Sequence, residues 1–150
     1  MSPERIALIA KLTAQALLAP VAFGVCALVE RGGKVLLVRH SYVSGWLLPG
    51  GGVRRAEPAA QAVLREMREE IGLTRCSSLE LFGLYSRRSG WATNVIALYR
   101  LREAEFAFVP NMEVREVLFA DPLAPPPGTP GSVRRRLAEF AGTAPIDHHW

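Results

Sequence analysis

The sequence predicts an α/β protein in which helices cover both faces of a mixed β-sheet. The first observation is the order of the patterns, which run helix, strands, helix, strands, helix along 150 residues. The second is a change to the helical apolar period at residues 58–71, between runs that are typical of strands. The third is a composition of 49% hydrophobic and 21% charged residues, which is typical of a globular protein. We therefore expect residues 1–150 to form a single domain.

An N-terminal helix is predicted within residues 1–19. Ser2 can cap this helix, and Pro3 suits its first position. The uncharged run at residues 16–29 is short for a membrane span, and Pro20 divides it. Because no leader peptide is convincing, we expect a cytoplasmic protein. Side chains that fall on one side of the helix predict that it packs, either to complete the layers over the sheet or to cover a twofold interface: Ile6, Ile9, Leu12, Thr13 and Leu17.

Five runs of residues have the composition of β-strands. The first two, Val21–Glu30 and Lys34–Arg39, are joined through Gly32 and Gly33, which allow the positive φ angles of a tight hairpin. Three more strands are predicted further along the chain: Leu79–Arg87, Thr93–Arg102 and Val114–Ala120.

Two further helices are predicted. The apolar residues along Pro58–Ile71 form one stripe at helical spacing. The C-terminal helix is predicted at residues 132–140, with Ser132 as its cap and with the arginine run Arg134–Arg136 as an exposed face. Residues 141–150 are predicted to be a loose tail.

Charge and cysteine content limit the expected partners and compartment. The formal charge is +4, and 16 of the 18 basic residues are arginine, an excess that ordinary surface solvation explains. The two cysteines, Cys26 and Cys76, make no disulfide framework, which favours a reducing cytoplasm. We expect no membrane partner and no nucleic-acid partner.

Three glutamates lie side by side on the second predicted helix. Glu66, Glu69 and Glu70 occupy one side, at the edge of the apolar stripe. Like charges at these spacings repel by roughly 0.2–0.5 kcal/mol per pair. A solvated acidic face is one interpretation, and Arg65, four residues before Glu69, supports it. A divalent cation between the carboxylates is the other, because Mg²⁺ prefers oxygen ligands.

A run of three glycines precedes this helix. Gly50–Gly52 lack Cβ atoms, so their backbone can approach a metal or a phosphate closely. The loop also leads to a helix N-terminus, where anions are favoured. The carboxylates could bind a metal ion and the glycine loop could bind phosphate, so the two together predict one site for a metal and a phosphorylated ligand.

The spacing of these residues resembles the Nudix box. Gly51, five residues, Glu57, seven residues and then REMREEIGL match G-x5-E-x7-R-E-U-x-E-E-x-G-U at every position. Met67 and Leu73 take the two bulky apolar places. The resemblance implies a Nudix-type α/β/α sandwich with a mixed β-sheet. It also implies a Mg²⁺- or Mn²⁺-dependent hydrolase that cleaves the pyrophosphate of a nucleoside diphosphate linked to another moiety.

The resemblance implies a metal site on the box. Glu66 and Glu70 are expected to be direct metal ligands, and Glu69 a ligand or a base that orients water. The main-chain carbonyl of Gly51 is a further expected ligand. Glu66 and Glu69 would therefore also act in catalysis.

Other residues are assigned around this site. In the family, Arg65 and Glu57 orient the loop and the helix by charge pairing. Glu113 is our candidate for the general base, with a solvated loop carboxylate as the alternative. The predicted substrate contacts are Arg39, Trp46, Gly50, Gly52 and Arg87. Trp46 is predicted to stack on a base, and the alternative is that it packs the loop.

Substrate and assembly stay open at this stage. In the absence of a subfamily signature outside the box, a nucleoside triphosphate or a small nucleotide conjugate is the expected substrate. A non-catalytic module that senses a nucleotide is the alternative, although such relatives usually have a degenerate box and this one is intact. An isopentenyl-diphosphate isomerase is discounted because its cysteine, glutamate and histidine arrangement is missing. Because many members of the family are homodimers, we expect a homodimer.

Overall fold

The chain forms a six-stranded sheet, a two-stranded sheet and three helices in a computed structural model that describes residues 1–150. All five predicted strands are confirmed, with ends shifted by no more than two residues. The helices are α1 (Pro3–Leu18), α2 (Ala59–Ile71) and α3 (Gly131–Phe140). The strands are β1 (Val21–Arg31), β2 (Lys34–His40), β3 (Gly50–Gly52), β4 (Leu73–Arg75), β5 (Ser78–Ser89), β6 (Ala92–Arg102), β7 (Glu105–Phe106) and β8 (Val114–Ala120).

The main sheet is mixed and has β1 at its centre. Its order is β5-β6-β1-β2-β8, and β1 runs parallel to β6 but antiparallel to β2. The pairing of β1 with β2 covers only the end next to the turn, Glu30 with Val35 and Arg31 with Lys34. Further from the turn, β3 pairs with β1 at Gly24–Cys26. The glycine run is therefore part of the sheet, beside β1.

Each face of the sheet carries a buried core, because side chains alternate along β1 and β2. Helices cover both faces, which confirms the predicted α/β sandwich with a mixed sheet. One core packs with α2 and includes Val25, Ala27, Val29, Leu36, Val38, Val63, Met67 and Ile71. The other packs with α3 and includes Leu28, Val35, Leu37, Leu98, Val133 and Leu137.

Helix α1 forms where predicted but does not pack on the sheet. Ser2 caps it by accepting a 3.4 Å hydrogen bond from the Arg5 N–H. None of its residues is buried, so it does not complete the layers over the sheet, and the twofold interface stays a prediction. Its apolar side chains are spread around the helix rather than along one stripe: Leu8 and Leu17, nine residues apart, project to opposite sides. None of the three helices is long and apolar enough to cross a membrane.

Helix α3 differs from its prediction at its start and on its face. Pro130 occupies the cap position and no side chain caps the helix, so the assignment of Ser132 as the cap is wrong. Arg134 and Arg135 are exposed, as predicted for the arginine run. Arg136 is 0% exposed, so the run is not a wholly solvated face.

The segment after α3 is bonded to the sheet. The Ser86 N–H donates to the His148 carbonyl at 2.8 Å, and the Trp150 N–H donates to the Ser86 carbonyl at 3.0 Å. These bonds place residues 148–150 along the edge of β5 in a parallel bridge. The prediction of a loose tail is therefore wrong for these residues.

Candidate active site

The glycine run lies directly against the acidic side of α2. A side chain at Gly51 would overlap the carboxylate of Glu66, so this carboxylate would have to move. A side chain at Gly50 would meet the backbone of Val25 and Cys26 on β1. The loop is thus held between β1 and α2, with its backbone close to the Glu66 carboxylate.

Two of the three glutamates are more deeply placed than the sequence predicts. Glu66 is 8% exposed and Glu70 is 1% exposed, within the buried face of α2, whereas Glu69 is exposed. Burial raises the pKa of the Glu66 carboxyl; Arg65 opposes this effect, while the charges of Glu70 and Glu69 reinforce it. The carboxylates therefore occupy an environment in which a cation would be stabilising.

Arg65 ties the glycine run to the helix. Its guanidinium donates to both Glu57 oxygens at 2.8 and 2.9 Å, to the Gly52 carbonyl at 2.9 Å and to Glu66 at 2.5 Å. The hydrogen bonds from Arg65 and from the Arg54 N–H hold the pKa of Glu57 at about 2, well below its usual range. Glu57 is therefore ionised at neutral pH and fixes the orientation of Arg65.

Glu70 is held by the protein itself. One carboxylate oxygen lies 2.7 Å from His40 Nε2, and the other accepts a 2.9 Å hydrogen bond from the Gly50 N–H. His40 is itself 8% exposed, and its Nδ1 has no partner. Glu70 therefore joins α2, β2 and the glycine run, and differs in its surroundings from Glu66 and Glu69.

A cleft brings Glu113 to the same place as the box. We name it the acidic cleft; its volume is about 490 Å³. Asn111 fixes the loop that carries Glu113, because its side chain accepts hydrogen bonds from the Glu113 and Val114 N–H groups and donates to the Glu70 carbonyl at 3.1 Å. The cleft is lined by Tyr42, Gly50, Gly51, Gly52, Arg54, Arg65, Glu66, Glu69 and Glu113.

The donors in this cleft suit a hard cation that is shared with a substrate. No three acidic, histidine or cysteine side chains surround one point closely enough to hold an ion by themselves. Mg²⁺ does not need such a cage, since it keeps several waters and completes its shell with one or two carboxylates and substrate phosphates. Glu66 and Glu69 supply that kind of open donor set, with the backbone of the glycine run beside them.

A second cleft lies on the other side of the glycine run. We name it the apolar cleft; its volume is about 560 Å³. Gly50 and Gly52, two of the predicted substrate contacts, line both clefts, and Arg87 lines the apolar one. The apolar side chains that line it include Phe23, Val43, Leu47, Ile96, Val133 and Trp150, and Asn94 and Ser132 are among its polar residues.

Two predicted substrate contacts lie outside both clefts. Trp46 is 8% exposed and packs in the core under α3, so loop packing is its role in this structure. Arg39 stacks over the Trp46 ring at 4.8 Å and pairs with Glu116 at 3.3 Å. The structure thus gives no support to a substrate contact at either residue.

Three further residues contribute to the site, and two of them, Arg54 and Asn111, have no role assigned from the sequence. Arg54 lines the acidic cleft and lies 3.4 Å from Glu69. His40 and Asn111 hold Glu70 and the Glu113 loop through contacts that span 30 and 41 residues of chain. A signal for Arg54 was available, because it lies inside the box; the other two depend on the fold.

Comparison with known proteins identifies the family. The model of the NUDIX domain matches residues 18–139, so the chain belongs to the Nudix family. This confirms the resemblance carried by the box.

Curated relatives match over part of their length. An RNA pyrophosphohydrolase from Hydrogenovibrio crunogenus is 35% identical over 75 residues, which is 50% of this chain and 43% of that protein. A CTP pyrophosphohydrolase from Escherichia coli is 42% identical over 53 residues, 33% of this chain and 39% of that protein. The matches thus span less than half the length of these relatives.

Solved structures share the fold. A MutT NUDIX hydrolase from Burkholderia pseudomallei superposes with a TM-score of 0.69 at 23% identity, covering 78% of this chain and 95% of that one. A UDP-X diphosphatase superposes with a TM-score of 0.63 at 20% identity, covering 99% of this chain and 75% of that one. At these identities the likeness shows a common fold, and it confirms the predicted Nudix-type sandwich.

Proposed function

We propose that this protein is a divalent-metal-dependent hydrolase that cleaves the pyrophosphate linkage of a nucleoside diphosphate derivative. The observation that carries the proposal is the convergence of Glu66, Glu69 and Glu113 with the glycine run on one cleft. Glu113 lies 40 residues beyond Leu73, the last residue of the box, so its position at the cleft is independent of the motif. The family membership and the names of the relatives support the same class of reaction.

Mg²⁺ or Mn²⁺ would be held by Glu66, Glu69 and the Gly51 carbonyl. Such an ion neutralises phosphate oxygens and acidifies a bound water. Arg65, fixed by Glu57, holds the Glu66 carboxylate in place next to the glycine run. Glu70, bonded to His40 and the Gly50 N–H, holds the same loop from its other side and does not line the acidic cleft, so its proposed role is to support the loop.

Glu113 is the proposed general base for in-line attack by water. Its loop is fixed by Asn111, and its side chain is exposed to the acidic cleft, where a water and a phosphate would meet. Arg54 lines the same cleft and offers a positive charge to the phosphates.

The substrate that we propose is a nucleoside triphosphate or a small nucleotide conjugate. The apolar cleft adjoins the glycine run and has the mixed lining of few polar and many apolar groups that small-molecule sites show. The two free cysteines agree with the proposed cytoplasmic location, where such nucleotides occur.

The test is hydrolysis of a panel of nucleotides by the purified protein with Mg²⁺ or Mn²⁺. The panel holds nucleoside triphosphates, dinucleoside polyphosphates, ADP-ribose and sugar nucleotides, with products separated by chromatography. We expect Glu69→Gln and Glu113→Gln to lower kcat by about a hundredfold or more. Glu80→Gln, which changes an exposed glutamate on β5 outside the cleft, is the matched control and should keep wild-type turnover.

Two results would contradict the proposal. Metal-dependent binding of one compound without cleavage of any would favour the nucleotide-sensing module. Cleavage that is equally fast in Glu69→Gln and wild type would place the reaction elsewhere.

A further inference from the structure

The segment after α3 is fixed by a buried ion pair. Arg136 and Glu139 lie 2.7 Å apart, with side chains 0% and 1% exposed. Taking two charges out of water is costly unless further hydrogen bonds satisfy them. The second Glu139 oxygen accepts a 2.8 Å hydrogen bond from the Tyr85 hydroxyl on β5, so the pair also joins α3 to the sheet.

Two further hydrogen bonds of this pair hold residues 147–149. The Asp147 N–H donates to Glu139 at 2.9 Å, and Arg136 donates to the His149 carbonyl at 2.8 Å. With the two bonds to Ser86 described above, the backbone here is fixed from both α3 and β5. The NUDIX domain match ends at residue 139, so this segment lies outside the matched region.

This anchoring sets the position of one aromatic ring. The Trp150 ring meets Tyr85 edge-on at 5.6 Å and 75°, and the Arg136 guanidinium lies 5.6 Å from its centre. Trp150 is only partly buried, and it lines the apolar cleft together with Phe23 and Ile96. Since the same cleft contains the glycine run, a ligand with its phosphates at Gly50–Gly52 has its organic part beside Trp150.

We propose that Trp150 is a specificity-determining residue that packs against the heteroaromatic base of the substrate. The proposal rests on the proposed function, because it takes the phosphates to lie at the glycine run. A fixed aromatic ring offers stacking that accepts any base, while Arg87 and Asn94 are among the polar groups that line the same cleft. The buried pair of Arg136 and Glu139 accordingly positions Trp150 at the side of the apolar cleft.

The experiment compares wild type with Trp150→Ala, Trp150→Phe and the control Trp91→Ala. Trp91 is 79% exposed and lies outside the apolar cleft. For the nucleotide that is cleaved best, Trp150→Ala should raise KM about tenfold or more, the scale of base stacking. Its kcat should change little, and Trp150→Phe should restore KM. Cleavage of inorganic tripolyphosphate, which has no base, should not respond to Trp150→Ala.

A binding measurement separates this inference from the hydrolase proposal. The α,β-methylene analogues of ATP, CTP, GTP and UTP, which resist cleavage, are titrated with Mg²⁺ into Trp91→Ala and into Trp91→Ala with Trp150→Phe, and tryptophan fluorescence is recorded. Saturable quenching that requires Trp150 supports the inference even if no nucleotide is cleaved. An active enzyme whose nucleotide KM is unchanged in a folded Trp150→Ala variant overturns it and leaves the hydrolase proposal intact. Absence of both cleavage and quenching overturns both.

Discussion

At the scale of single residues, the site depends on the close approach of the glycine run to Glu66 and on the hydrogen bonds of the Arg65 guanidinium. Gly51 matters because a side chain there would displace the Glu66 carboxylate. Arg65 is required because its planar guanidinium reaches two Glu57 oxygens and a carbonyl at once, which a lysine cannot do. Both residues set the position of the loop relative to α2. Testable predictions follow for Gly51 and for Glu57, the partner of Arg65.

The first prediction concerns Gly51→Ala. The added methyl group would displace the Glu66 carboxylate or the loop, so we expect kcat/KM to fall about 10–100-fold, as for other changes that misplace a metal ligand. Gly52→Ala is the matched control, because its methyl group meets nothing within 4 Å and should cost much less. Steady-state kinetics check this, with circular dichroism to establish folding. Equal losses in both variants would contradict the steric argument.

The second prediction concerns pH and Glu57. Its pKa is lowered from 4.5 to about 2, chiefly by the hydrogen bond from Arg65. A carboxyl with a depressed pKa stabilises the folded state above its unfolded pKa, and this contribution is lost as pH falls through the folded value. The difference in unfolding free energy between wild type and Glu57→Gln should therefore be constant above about pH 5 and shrink towards pH 2. Urea titrations across this range measure it, and a difference independent of pH would refute the assignment.

At the scale of elements, α3 and the segment that follows it act as one unit with β5. The apolar face of α3 covers the sheet, and Arg136 with Glu139 bonds residues 147–149 to it. Tyr85 completes the unit from the sheet side. The stability of this part of the molecule should thus depend on the charge of Glu139.

The third prediction is the effect of Glu139→Gln. The substitution keeps the shape of the side chain but leaves Arg136 as a buried charge without its partner, so we expect a loss of about 3–5 kcal/mol in the free energy of unfolding. Arg135→Gln, on the exposed face of the same helix, should stay within about 0.5 kcal/mol of wild type. Guanidinium unfolding measures both. A small loss in Glu139→Gln would mean that water reaches the pair.

What the sequence predicts well is what neighbouring residues determine. The strands and α2 follow from local periodicity and turn residues, and the box spacing assigns Glu66, Glu69 and Gly51 to one site. The burial of Arg136 was not predictable from its neighbours in sequence. Its partner Glu139 is held by a hydrogen bond from Tyr85, which lies 54 residues away from Glu139 in the chain. The contact of His40 with Glu70 likewise spans 30 residues.

At the scale of the whole molecule, the two clefts meet where β3 takes the place of β2 beside β1. There the glycine run faces the carboxylates of α2 on one side and the apolar cleft on the other. Both helices that cover the sheet therefore contribute to the proposed substrate site. Helix α1 is the exception, because it has no buried residue and lines neither cleft.

The fourth prediction follows from this separation of α1. Deletion of residues 1–17 removes no buried side chain and keeps Pro20, whose carbonyl accepts a hydrogen bond from Thr93, so the melting temperature should change by less than about 2 °C. Turnover of the nucleotide cleaved by wild type should be retained as well. Differential scanning calorimetry and light scattering at one protein concentration measure stability and mass. A large fall in melting temperature, accompanied by a change from the mass of two chains to that of one, would show instead that the exposed leucines and isoleucines of α1 join two copies. In that case α1 would stabilise the dimer by burying apolar surface between subunits, and the homodimer expected from the sequence would be confirmed.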